Sequence, residues 1–68
     1  MKIKVFFEKD NASKSVEASK GEPIESVLRH LKINPQTVIV ARNGKVVTEQ
    51  ESVEEGDSLK IFSVKLGG

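Results

Sequence analysis

The part of this sequence with an evident chemical use is its end, Lys65-Leu66-Gly67-Gly68. A chain terminating there offers an α-carboxylate on a residue without a side chain, preceded by a second such residue. Glycine has no Cβ, so the pair can enter a channel too narrow for other residues, and the terminal carboxyl carbon is unhindered. Such an end suits chemistry performed on the chain terminus by another protein. Two terminal glycines arise by chance in roughly 0.5% of chains at average glycine usage, and chain ends are commonly frayed. The motif therefore takes its meaning from what precedes it.

No other grouping competes with it. There is no cysteine, which removes a thiolate nucleophile, a disulfide framework and a Cys-based zinc site. His30 is the single histidine and lies off the apolar stripe of its helix, the position of a surface side chain rather than a ligand or a catalytic base. Glu49, Glu51, Glu54, Glu55 and Asp57 crowd one stretch with no base among them. Their spacing lacks the alternating oxygen ligands of a calcium loop, so a solvated loop is expected there and no metal.

Size and charge narrow the classes further. Sixty-eight residues make one domain whose small core buries about 60% of the unfolded surface. That leaves no room for a cofactor pocket beside the core, so no catalytic side chain is assigned and the chain reads as a non-enzyme. Eleven Lys+Arg against ten Asp+Glu leave a formal net charge of +1, too little to draw nucleic acid or a membrane surface. Met1-Lys2-Ile3-Lys4 lacks the apolar core of a signal segment, and no run approaches the ~20 apolar residues of a membrane span. A cytoplasmic location is the expectation.

The elements that must hold the tail follow from hydrophobic periodicity. Over residues 1–8, Ile3, Val5 and Phe7 alternate with Lys2, Lys4, Phe6 and Glu8, the pattern of a half-buried strand with the first set in the core. Turn residues at 9–12 lead to a weaker second strand at 13–19 around Val16 and Ala18, and the two are expected to form an antiparallel hairpin. Pro23 is placed to open a helix, and Ile24, Val27, Leu28 and Leu31 recur at i, i+3, i+4 and i+7 along it to about Lys32. Asn34-Pro35 ends that helix. A β-branched run over 37–42, then Asn43-Gly44 ahead of Lys45-Val46-Val47, predicts a hairpin of a third and a fourth strand. Residues 58–66 alternate again, Leu59 and Ile61 opposite Lys60, Phe62, Val64 and Leu66.

Strand, strand, helix, strand, strand, strand in so short a chain predicts an α+β fold, a mixed sheet of four to five strands with the helix packed on one face. The domain is expected to span residues 1–64 and the tail residues 65–68. Phe6, Phe62 and Val64 should then point away from the helix, joined by Ile39 and Ala41 if Val38 and Val40 face it. If the first and last strands are neighbours these residues make one apolar patch beside the tail, and a contiguous patch marks a docking surface.

The order of elements, the run Ile33-Asn34-Pro35-Gln36-Thr37-Val38-Ile39-Val40-Ala41-Arg42-Asn43-Gly44, the Gly56-Asp57 turn and the final Gly67-Gly68 together resemble the ThiS/MoaD sulfur-carrier group of ubiquitin-like β-grasp proteins. The likeness covers essentially the whole chain and extends to the small archaeal modifier proteins. One position departs: in ubiquitin an Arg stands directly before the glycine pair, and here it is Leu66, which counts against use by the eukaryotic ubiquitin-activating enzyme.

The resemblance implies that a ubiquitin-activating-type enzyme adenylates the Gly68 carboxylate, using ATP and Mg²⁺ bound by that enzyme and none bound by this chain. Sulfur then displaces AMP to leave a thiocarboxylate, for cofactor biosynthesis or tRNA thiolation. The implied partners are the adenylating enzyme, a sulfur donor and a sulfur-accepting enzyme, with Phe6, Ile39, Ala41, Phe62 and Val64 as the docking surface, Leu66 and Gly67 as the recognised tail and Gly68 as the residue that is covalently changed. A second assignment is a ubiquitin-like tag joined through Gly68 to lysines of target proteins. A third, of another class, is a non-covalent protein-binding module with an inert tail. Nucleic-acid binding ranks below these, since Lys2, Lys4, Lys60 and Lys65 could line one face but aromatics to stack on bases are few.

Overall fold

Alternation at the two ends of the chain builds the centre of the sheet. In the computed structural model, which describes residues 1–64, β1 spans Lys2–Phe7 and β5 spans Ser58–Ser63, and the two lie side by side in parallel, Val5 opposite Leu59 and Phe7 opposite Ile61. The tail assignments at Leu66, Gly67 and Gly68 lie outside the described residues. Strand β2, Ala12–Glu17, pairs antiparallel with β1. Strands β3, Val38–Arg42, and β4, Lys45–Val47, form the second hairpin, and β3 pairs antiparallel with β5. The sheet therefore has five strands in the order β2-β1-β5-β3-β4, mixed as expected, with β1 and β5 adjacent.

Helix α1, Ile24–His30, covers one face. Its Ile24, Val27 and Leu28 pack with Ile3, Val5, Val40, Leu59 and Ile61 of the strands to form the core. Phe7, expected in that core, is only partly buried and packs at its margin, because it closes β1 where the helix no longer reaches. The helix also stops short of Lys32. Lys32 takes φ 62°, its N–H donates to the Arg29 carbonyl (2.9 Å), and that of Ile33 donates to Leu28 (2.8 Å). These are the paired bonds of a left-handed helix terminus, made here by a lysine where glycine is usual. Pro23 caps the helix from outside in extended geometry rather than opening it. Asn34 accepts from the Gln36 N–H (3.0 Å) and starts a 3₁₀ turn over Pro35–Thr37, which takes Thr37 out of the expected strand.

The acidic stretch is the main correction. A solvated loop was expected, yet Val53 is fully buried and Asp57 is buried. The backbone of this stretch closes the N-terminus of α1: Ile24 N–H donates to Glu51 O (2.8 Å), Glu25 to Glu49 (2.9 Å), Gly21 to Val53 (3.1 Å), and Val53 back to Glu22 (2.8 Å). An otherwise unpartnered helix end is thus satisfied by main-chain carbonyls. Asp57 accepts from the Glu54 N–H (2.8 Å) and lies 4.0 Å from the Arg42 guanidinium. Asn43, at φ 51° before Gly44 at φ 89°, shapes the β3–β4 turn and accepts from the Ser58 N–H through Oδ1 (3.1 Å). The turn and the start of β5 are pinned together.

Glu22 organises the other flank of the helix. Its carboxylate accepts from the Ser19 N–H (2.9 Å) and Ser26 Oγ (2.7 Å) and lies 3.2 Å from His30 Nδ1. The Ser19 bond chiefly, then Ser26 and the nearby imidazole, hold the Glu22 pKa below its usual 4.5 against the opposing effect of burial. A depressed folded pKa means the stability Glu22 contributes is complete above about 4.5 and is lost as pH falls through the folded value. Glu22→Gln should therefore cost about 1–2 kcal/mol at neutral pH. The difference from wild type should shrink in urea melts as pH is lowered from about 5 to about 3.

Candidate functional site

With the helix on one face, the even-numbered residues of β1 and β5 and the odd-numbered residues of β3 must point to the other. Register then decides whether they meet. Phe6 stands opposite Lys60, Lys60 opposite Ala41, and Ala41 opposite Val46, a row across four strands. In the next row Phe62 faces Ile39. Val64 continues the β5 alternation, its N–H donating to Thr37 O (2.9 Å). The structure thus brings Phe6, Ile39, Ala41, Phe62 and Val64 together on the face away from the helix, leading along β5 toward the C-terminal end.

The patch is apolar but not uniformly open. Ile39 is 45% exposed, and Phe6, Phe62 and Val64 are half-buried. Ala41, expected at the surface, is buried, its methyl being shorter than the Lys60 and Val46 side chains beside it. Val46 is the residue sequence reasoning missed, and at 73% exposed it is the most open large apolar side chain among those described. The signal was there: two adjacent valines in one strand must point to opposite faces, and Val47 is the one that packs on the core.

A cation sits in the middle of this surface. The Lys60 ammonium lies 5.5 Å from the centroid of the Phe6 ring and 5.5 Å from that of Phe62, with Glu8 Oε2 at 3.7 Å. Each ring contributes about 0.5–1 kcal/mol at such an exposed position. His30 is on the opposite side of the molecule in chemical terms, its side chain 65% exposed and its ring nitrogen turned to Glu22. Among the described residues there is no group of three or more His, Asp or Glu placed to hold a metal ion. What the arrangement offers is a partly exposed apolar surface that runs along β5.

Comparison with known proteins follows the same lines. The ThiS family model matches residues 3–68. The sulfur carrier protein TtuB of Thermus thermophilus is 36% identical over 55 residues, covering 81% of this chain and 85% of that protein. In fold the chain is similar to SAMP1 from Haloferax volcanii, with a TM-score of 0.76 at 17% identity over 100% of both chains. It is similar also to the thiamine biosynthesis protein ThiS from Geobacter metallireducens, with a TM-score of 0.68 at 22% identity, again over 100% of both. At those identities the structural likenesses speak for the β-grasp fold.

Proposed function

The chain belongs to the ThiS family, and from that premise we propose that it is a sulfur carrier working through the carboxylate of Gly68. The observation that carries this reading is the match to a sulfur carrier at 36% identity, together with a family match that runs through to Gly68. In the proposed cycle a Gly68 carboxylate oxygen attacks the α-phosphorus of ATP on a ubiquitin-activating-type enzyme. Pyrophosphate leaves and an acyl-adenylate remains. Sulfide-level sulfur supplied by the donor then attacks the Gly68 carbonyl carbon and AMP leaves, giving the thiocarboxylate and a proton. On the sulfur-accepting enzyme the thiocarboxylate sulfur attacks an activated acceptor carbon, and water then cleaves the acyl–sulfur bond to return the carboxylate.

The chain's own part in this is to bind and to present. A carboxylate is a poor electrophile because its charge is delocalised and oxide is a poor leaving group; the adenylate supplies a good one. That chemistry, with its ATP and Mg²⁺, belongs to the partner enzyme, so this chain is the substrate and contributes no catalytic side chain. Phe6, Ile39, Phe62 and Val64, with Val46 at the margin, would dock the enzyme. Binding energy gained there, remote from the reacting carbon, positions the tail for attack. Leu66 and Gly67 would be read by the channel. We place the protein in the cytoplasm with these partners; no helix among the described residues is long and apolar enough to cross a membrane.

Carrier and tag make different demands on Gly68, which gives the test. A carrier needs its terminus free after each turnover, so protein isolated from its own cells should be a small species, part of it with one oxygen replaced by sulfur. A tag consumes its terminus and leaves Gly68 joined to lysine ε-amines of larger proteins. Intact-mass measurement with peptide mapping of lysines is expected to find the thiocarboxylate. Gly-Gly-modified lysines with no thiocarboxylate, under ample sulfur supply, would replace the carrier reading by the tag.

A further inference from the structure

A lysine at the centre of an apolar docking face needs a reason. Lys60 stands between Phe6 and Ala41 in its row, its ammonium near the rings of both Phe6 and Phe62, so that its two direct neighbours across the sheet are apolar. Its position is held. Attraction to two ring faces keeps the ammonium over the middle of the sheet instead of letting the stem splay to the rim, as long cationic side chains do on open surfaces. Its counter-ion is held less well. Glu8 lies just beyond the end of β1, its side chain is 50% exposed, and its oxygen is 3.7 Å away, the outer range of an ion pair. Pairs of this kind in water add little and are readily exchanged.

Among the described residues the strands' other charges on this face are Lys4, one row above and opposite Ser58, and Lys2 with Glu17 opposite it. Glu17 already lies 3.3 Å from the N-terminal amine. Among the described residues this leaves three lysines on the face with Glu8 as the acid next to the apolar rows. A partner that covered Phe6, Phe62 and Ile39 with apolar atoms alone would strip water from Lys60 and leave it with a distant, half-solvated counter-ion, an unfavourable burial. The partner surface that fits is apolar with a carboxylate set into it, reaching Lys60 from above. Beside Lys60 a shallow depression of about 330 Å³, bordered by Phe6, Ala41, Ser58 and Gly44, gives a neighbouring apolar side chain a foothold.

We propose that Lys60 is the specificity determinant of the docking face, and that the adenylating enzyme recognises it with an Asp or Glu carboxylate that displaces Glu8. This rests on the carrier reading for the identity of the partner. The surface is read by one central charge inside an apolar frame, so that an equally apolar but acid-free protein surface is rejected by the buried cation. In the free protein Glu8 is the weak counter-ion of Lys60, and it competes with the partner's carboxylate for the ammonium.

The experiment is a calorimetric titration of the full chain into the adenylating enzyme of the same organism, with pyrophosphate exchange run in parallel. Lys60→Met, which keeps the stem and loses the charge, should weaken binding about tenfold, and Lys60→Glu about a hundredfold. Lys60→Arg should stay within about threefold, and Glu8→Gln should tighten binding about two- to threefold at low salt. Between about 50 and about 500 mM salt the wild-type affinity should fall more steeply than that of Lys60→Met, a difference that loss of packing alone would not give. Binding by Lys60→Met within twofold of wild type, an unchanged salt slope, or weaker binding by Glu8→Gln would each overturn the assignment. Wild-type binding without pyrophosphate exchange would remove the carrier reading and leave the docking chemistry standing. Absence of wild-type binding would remove both.

Discussion

A chain lacking Gly68 should form no acyl-adenylate with its activating enzyme, while its thermal midpoint stays within about 4 °C of the full-length protein's. The first half follows from the proposed chemistry, because the reacting carbon belongs to Gly68. Removing that residue leaves the Gly67 carboxylate withdrawn by the length of one extended residue, about 3.5 Å. Productive attack needs reacting atoms about 3–3.5 Å apart, and misplacement by even about 1 Å can cost a hundredfold in rate. The second half follows from packing. Among the described residues every buried side chain lies at or before Ile61 in the sequence. Loss of the last residue should thus change stability by less than about 0.5 kcal/mol, which at this chain length is at most about 4 °C. ATP–pyrophosphate exchange and a thermal melt measure the two halves. Normal exchange by the shortened chain would dispose of the carrier and the tag together, since both act through the Gly68 carbonyl. Gly68→Ala should be impaired more than Leu66→Ala, because its new Cβ stands next to the reacting carbon.

The sheet was legible because its residues alternate without ambiguity. Ile3 and Val5, Leu59 and Ile61 repeat with period two, and the buried positions of β1 and β5 are the ones that period assigns. Asn43-Gly44 fixed the β3–β4 turn through two consecutive positive φ angles that few other pairs adopt. The grouping of the apolar side chains on the outer face was legible for the same reason, since once the core side of each strand is known the other side is determined. For Val46 the signal was two adjacent valines, one of which must point outward, but a three-residue strand displays no period to say which.

What could not be read depends on contacts distant in sequence. Nothing local marks Val53 as fully buried amid glutamates; it is drawn in because the carbonyls of residues 49, 51 and 53 lie against the start of α1. The end of α1 was overrun because Lys32 performs the left-handed turn that glycine usually signals. The pairing of Lys60 with two rings and Glu8 joins residues of β1 and β5, 52 to 54 positions apart at the Glu8 and Phe6 contacts. The alternation places Lys60 on the outer face with Lys2 and Lys4, but it does not set the ammonium against two rings and Glu8.

The division of the sheet into a face packed on the helix and a face turned away from it yields the largest expected stability effect. Ile61 and Phe62 are consecutive, yet Ile61 is 3% exposed among Leu59, Val40 and the helix, whereas Phe62 is half-buried on the far side beside Ile39 and the Lys60 ammonium. Ile61→Ala removes buried methylene and methyl groups and leaves a cavity the strands cannot close, at a cost of about 2 to 5 kcal/mol. A domain of this size has on the order of 3 to 10 kcal/mol in all, so the variant should melt far below wild type or be partly unfolded at ambient temperature. Phe62→Ser gives up a side chain that is partly in water and outside the core cluster, and by the area it loses its cost should be about 1 to 2 kcal/mol. Its effect on docking should be the greater, since an aromatic at the centre of an interface is where truncation commonly costs about 2 kcal/mol or more. Urea melts of the two variants, with titration of the folded one into the activating enzyme, separate these effects. Equal loss of stability in both, or undiminished binding by Phe62→Ser, would mean that the two faces do not divide the work and that the enzyme docks elsewhere on the domain.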